Sequence, residues 1–243
     1  MAPDRATARH QPPPLSNTEA VAHHKREAAQ AAAMMVDDGM RVGLGTGSTV
    51  AYLLPALAER NLRGLRCVAT SPATEQAAQA LGLTVAALDA LGELDIAIDG
   101  ADQIEERGWL VKGGGAAQTR EKIVAAASRR FVVIASAEKA VSALHPPVPL
   151  EVLRFGAMRT LAEVGEARLR GDLESPDGNL IADYFGPIGD PADLAARLSA
   201  TPGVVEHGLF APDMVSCILI AGEHGVERRA GEKPDPPGTG ACG

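Results

Sequence analysis

Three short stretches of this chain gather acids, lysines and hydroxyls around glycines in a way that suits a small anionic substrate. In "LVKGGGAAQTREKIV", residues 110–124, Gly113, Gly114 and Gly115 stand between Lys112 and a segment predicted to be helical that carries Glu121. Consecutive glycines reach backbone angles closed to other residues, so the chain can lie against a ligand and then enter a helix with free N–H groups facing it. Lys112 is a point charge suited to a phosphate or to negative charge developing on an oxygen. At helical spacing Glu121 has only Ala117, Gln118, Val124 and Ala125 for neighbours. Its own helix therefore offers no cation. Either it is a solvated surface glutamate or its partner lies off the helix.

The second stretch is "GLGTGST", residues 43–49. A glycine-rich turn from strand to helix lets N–H groups converge on an anion, and Thr46, Gly47, Ser48 and Thr49 add backbone and hydroxyl donors at the positive end of the helix. Ser48 as a plain helix cap is the structural alternative. A dinucleotide fingerprint needs glycine where Ser48 stands, and a P-loop needs a lysine before the hydroxyl residue, so neither NAD nor ATP is indicated. The third stretch, "DIAIDGAD", ends an apolar strand with Asp99, Gly100, Ala101 and Asp102. Open α/β sheets bind ligands at the carboxyl ends of their strands, where paired acids handle hydroxyls and protons; Asp-Gly is also an ordinary turn signal. Finally, "ASAEKAV" predicts a helix capped by Ser136 with Lys139 in its first turn. A cation there opposes the helix dipole, a conflict that a bound anion removes.

These residues need a frame. Ser16 and Glu19 form a capping box for a helix over 18–38, strands are predicted at 41–44, 65–70, 83–88, 94–99 and 131–135, and helices follow Thr49 and span 74–80 and 116–128. Pro55 predicts a kink or early stop. Alternation of this kind makes a mostly parallel sheet covered by helices. After "HPPVPLEV" the rhythm becomes strand-helix-strand-strand-helix-strand, the split βαβ or ferredoxin-like pattern. A last apolar run over 214–221 returns to the first sheet. The expected organisation is an α/β domain over 17–145 plus 210–228, a small inserted α+β domain over 146–209, and flexible ends at 1–16 and 229–243.

Composition narrows the partners. A formal charge of −8 and a pI near 5.3 speak against nucleic acid, and 3% aromatic residues leave little for stacking on bases. The six histidines show no paired ligand spacing, so no metal is expected, and there is no apolar run long enough to span a membrane. Cys67, Cys217 and Cys242 are an odd number without a CxxC, which predicts no disulfide framework and a reducing, cytoplasmic setting.

Taken in order, "GLGTGST", "DGAD", "KGGGAAQTREK" and the later Lys139 resemble the type A ribose-5-phosphate isomerase family, and "PVPLEV", "DGNLIAD" and "PGVVEHGLFA" extend the resemblance over 18–225. The resemblance implies a Rossmann-like main domain with a ferredoxin-like lid, a homodimer or homotetramer, no cofactor, and interconversion of D-ribose 5-phosphate and D-ribulose 5-phosphate. It implies Glu121 as general base, Asp99 and Asp102 as substrate-binding acids, Lys112 and Lys139 as substrate contacts, and 46–49 and 113–115 as substrate loops. Asp99 would assist ring opening before an enediolate forms. Gln103 stands where the family has glutamate and Gln118 where it has an apolar residue; "TSPAT" shortens a serine-rich loop. The rival reading is a sugar-phosphate sensor, which needs the cradle but not Glu121.

Overall fold

Residues 16–236 and Cys242 are described by the computed structural model, so the expectation for 1–15 lies outside the described residues. The chain runs α1 Asn17–Ala33, β1 Arg41–Leu44, α2 Val50–Glu59, β2 Arg66–Ala69, α3 Pro72–Ala80, the short α4 Leu88–Leu91, β3 Leu94–Gly100, β4 Gln103–Glu105, β5 Leu110–Val111, α5 Gln118–Ala126, β6 Ser128–Ser136 and β7 Ala140–Val141. It continues with β8 Val148–Val152, α6 Ala157–Val164, β9 Ala167–Glu174, β10 Leu180–Tyr184, α7 Pro191–Ser199, β11 Val204–His207, β12 Leu209–Phe210, β13 Cys217–Gly222 and β14 Gly225–Ala230. Among these, no helix is long and apolar enough to cross a membrane.

The large sheet has the order β14-β13-β6-β3-β1-β2, all parallel except the terminal β13–β14 hairpin. Its central strands are apolar on both faces because helices cover both. Ala28, Ala32, Leu53 and Leu57 pack over one side of the sheet, and Val124 and Ala125 over the other. The second sheet, β11-β8-β10-β9, is antiparallel and carries Leu161, Val164, Leu194 and Leu198 of α6 and α7 on its buried face, the ferredoxin-like arrangement. The fold class expected from the sequence is therefore the one observed.

A third sheet, β12-β5-β4-β7, has no counterpart in the sequence reading, since strands of two or three residues carry no periodicity. It joins the other two: Lys112 N–H donates to the Gly208 carbonyl at 2.8 Å, and Gly208 N–H to that of Pro149 at 2.7 Å.

Several local expectations are corrected. The capping box at Ser16 and Glu19 forms, but α1 stops at Ala33. α2 does not stop at Pro55 but continues to Glu59, held by the burial of Leu53, Leu54 and Leu57 on either side. Residues 83–88 make one isolated bridge, Cys67 to Val85, and no strand. The chain does not leave the fold at 229: β14 continues to Ala230 as a charged edge strand, Lys233 N–H donates to Val215, and Asp235 pairs with Arg130 at 2.7 Å. Cys217 is disulfide-bonded to Cys242, against the expectation of no disulfide, while Cys67 is free and buried.

Candidate active site

Strand β3 delivers Asp99 to the carboxyl end of the large sheet, beside the turn that leaves β1. The side chain is buried: Oδ1 accepts from the N–H groups of Thr46 at 3.1 Å and Gly100 at 2.7 Å, and Oδ2 from Lys112 Nζ at 2.8 Å. This seat requires glycine at 45, where a Cβ would stand 1.8 Å from Oδ1. Lys112 follows β5 and is 2% exposed. Its Nζ also donates to the Gly100 carbonyl, lies 3.1 Å from Glu121 Oε2 in an ion pair without hydrogen-bond alignment, and sits 5.3 Å from the centre of the Phe210 ring. The partner of Glu121 is thus off its helix, as its helical neighbours implied.

Two buried carboxylates share one buried cation, and the proton affinities follow. Burial, and then the Asp99 charge, push the Glu121 carboxyl up to about 8 against the pull of Lys112. Burial also raises Asp99, opposed by Lys112 and the two N–H donors. Burial works against the Lys112 charge, but Asp99 and Glu121 outweigh it and hold the ammonium above its ordinary range. Glu121 is therefore poised to exchange a proton near neutrality, and its Oε2 accepts no hydrogen bond among the described residues.

Above this cluster opens a small cleft. Its walls are Thr46 to Thr49, Gly100, Ala101 and Asp102, Lys112 to Gly115, Glu121 and Lys139, every residue singled out from the sequence except Asp99, which lies beneath. Gly113 has φ +99°, open only to glycine, and Gly114 N–H donates to Asp102 Oδ2 at 2.8 Å. Ala116 then takes a left-handed φ of 63°, strain of about 1 kcal/mol at the entrance to α5. Lys139 reaches the cleft from a 3-10 turn and not from a helix. Ser136 caps nothing there, its hydroxyl donating to Glu138 at 2.6 Å, so the dipole conflict expected from the sequence does not arise.

Lys25 of α1 escaped the sequence reading; its Nζ donates to Ser48 Oγ at 2.9 Å and brings a cation to the hydroxyl turn. Ser48 is thus a lysine partner and not a cap. In "TSPAT", Ser71 caps α3 and Thr70 bonds the Thr46 hydroxyl at 2.8 Å. Gln103 carries no charge role: it clamps the backbone of His145 at 2.7 and 2.8 Å. Gln118 is fully buried beside Gly113, with neither amide atom paired among the described residues. Around Glu121, α5 is tied to the inserted domain by Thr119 to Glu151, Arg120 to Asp177 at 2.7 Å and Lys122 to Glu206 at 2.7 Å. Burial, then the Lys122 charge, push the adjoining His207 down to about 4. These ties join segments far apart in the chain, and only the fold reveals them.

Such a site can hold an anion on hydroxyls, backbone donors and lysines, and can move a proton with a buried carboxylate. No group of three acids, histidines or cysteines among the described residues is arranged to hold a metal ion.

The chain is similar to known proteins along most of its length. Residues 66–225 match the family described as Ribose 5-phosphate isomerase A (phosphoriboisomerase A). A Caulobacter vibrioides protein named Ribose-5-phosphate isomerase A is 46% identical over 219 residues, covering 84% of this chain and 96% of the relative. The solved ribose 5-phosphate isomerase A of Methanocaldococcus jannaschii superposes with a TM-score of 0.81 at 34% identity, covering 88% of this chain and all of its own. A D-ribose-5-phosphate isomerase solved in complex with phospho-erythronic acid gives 0.82 at 33%, covering 86% and 99%. With its fold, its sequence and the order of its motifs in agreement, the chain belongs to the ribose-5-phosphate isomerase A family.

Proposed function

We propose that this protein interconverts D-ribose 5-phosphate and D-ribulose 5-phosphate in the pentose phosphate pathway, with Glu121 moving the proton between carbons. The observation that carries the assignment of roles is the buried Asp99–Lys112–Glu121 cluster at the floor of the cleft. Asp102 is the carboxylate on the cleft wall, whereas both oxygens of Asp99 are engaged behind it. Proton handling during ring opening is therefore assigned to Asp102, and Asp99 holds Lys112 in place.

In the open-chain aldose, Glu121 takes the C2 proton. The C–H electron pair becomes the C1–C2 double bond, and the carbonyl electrons move onto O1. Lys112 and the glycine-turn N–H groups stabilise that charge, preorganised in a site largely closed to water. A proton passes between O2 and O1, Glu121 returns its own to C1, and C2 becomes the carbonyl of the ketose. The phosphate rests on Thr46 to Thr49 with Lys25 and Lys139. Phospho-erythronic acid, bound by the structural relative, carries a planar carboxylate resembling an enediolate in shape and charge, which supports this reading.

A homodimer or homotetramer is the finer expectation. Phe155, 95% exposed, and Met158, 70% exposed, leave apolar surface on the inserted domain of the kind that assembly covers. A cytoplasmic setting suits a charged sugar phosphate. The test is conversion of ribose 5-phosphate in excess EDTA by wild type and Glu121→Gln. Activity in the first and its collapse in the second support the assignment. A variant as active as wild type would move the base elsewhere.

A further inference from the structure

Arg170, on β9 of the inserted domain, reaches across to the glycine turn of the main domain. Its Nη1 donates to the carbonyl oxygens of both Gly113 and Gly114 at 3.1 Å. The rest of the guanidinium is fixed by Asp183 on the neighbouring β10: Nε donates to Oδ2 at 2.8 Å and Nη2 to Oδ1. Arg170 does not line the cleft, and four of its five N–H donors are engaged by these partners. It therefore acts on the turn and not on a ligand.

Peptide groups are planar, and those of the glycine turn are trans, so fixing a carbonyl fixes the N–H on its opposite side. In the Gly113–Gly114 peptide, Arg170 takes the carbonyl and Asp102 Oδ2 takes the N–H at 2.8 Å, which also orients the Asp102 carboxylate. In the Gly114–Gly115 peptide, Arg170 again takes the carbonyl. The Gly115 N–H points the other way, has no acceptor among the described residues, and belongs to a residue on the cleft wall. Three successive glycines have the greatest backbone freedom available; besides the Ala116 N–H bond to the Gly113 carbonyl at 3.0 Å, the Arg170 fork ties down the carbonyls of the turn. A planar fork can hold two carbonyls at once; a lysine ammonium lacks that fixed geometry.

We propose that Arg170, oriented by Asp183, is a positioning residue of the isomerase, aiming the Gly115 N–H and the Asp102 carboxylate at the reacting end of the sugar. The inserted domain is thereby a working part of the active site and not only its cover. This rests on the isomerase reading above.

The experiment is steady-state kinetics on ribose 5-phosphate with melting temperatures, for wild type, Arg170→Ala, Arg170→Lys and the control Arg168→Ala, which alters a neighbour on the same strand stacked over Phe185. Arg170→Ala is expected to lower kcat about 30-fold or more, since a misplacement of about 1 Å can cost 100-fold. KM should stay within about threefold, because the phosphate rests on the other side of the cleft. Millimolar guanidinium should restore part of the lost kcat and ethylammonium should not. Arg170→Lys should melt near wild type yet remain about tenfold down, so the proposal stays testable if the alanine variant fails to fold. Either variant folded and within about twofold of wild type overturns the proposal. So does a loss explained by a lower melting temperature alone, without rescue by guanidinium. Wild type inactive on ribose 5-phosphate overturns the isomerase reading itself, a result separate from these.

Discussion

Replacing Glu121 by glutamine should remove activity and, at high pH, make the protein more stable. The carboxyl is held up to about 8, from an ordinary 4.5, by burial and by the Asp99 charge. In the unfolded chain it ionises near 4.5, so between 4.5 and about 8 the folded state holds a proton that the unfolded state has released. Stability therefore falls as pH rises through this window and levels off above it. At about 1.4 kcal/mol for each tenfold change in proton affinity, the full effect is about 5 kcal/mol. About 3 kcal/mol of it falls between pH 6 and pH 9. Glutamine has nearly the same shape and cannot ionise, so the variant lacks this loss. Urea denaturation of both proteins at pH 6 and pH 9 measures it: the variant's advantage should grow by about 3 kcal/mol, while its kcat at either pH is lower by about 10²- to 10⁴-fold. Parallel stability profiles would refute the claim that burial and Asp99 raise this carboxyl.

Lys112→Met leaves two carboxylates buried without their cation, and denaturation at pH 8 should show a loss of about 3–5 kcal/mol together with loss of turnover. Lys25→Ala should raise KM for ribose 5-phosphate about tenfold with little change in kcat, as expected for a contact to the unreacting phosphate. Cys242→Ser opens a loop with a sequence separation of 25 and should lower stability by about 3.5 kcal/mol; dithiothreitol should do the same to wild type and nothing to the variant.

Much of the site could be read from the sequence because its parts are local. The glycine-rich turns at 45–49 and 113–115 stand out within a few residues, and Asp99 ends an apolar strand. The absence of a cation at helical spacing from Glu121 pointed to a partner elsewhere, and the fold supplies Lys112. What stayed hidden was held by tertiary contacts. Lys25 is an ordinary helix lysine until α1 packs beside Ser48, and Arg170 an ordinary strand arginine until the two domains meet. Pro55 reads as a stop until burial of its helix overrides it, and Cys217 reads as unpaired because nothing local brings Cys242 near.

The place of the inserted domain in the chain also governs the order in which the protein is made. β6 pairs with β13, yet the whole insertion is synthesised between them, and α1 packs against both strands. At about 5–20 residues per second, β6 and its helix wait roughly ten seconds on the ribosome for the strand that completes their seat. The insertion carries most of its own core and is complete before β13 is made, so it can fold while one edge of the large sheet is still unpaired. The edge of β6 is then left without its neighbouring strand until the final hairpin arrives.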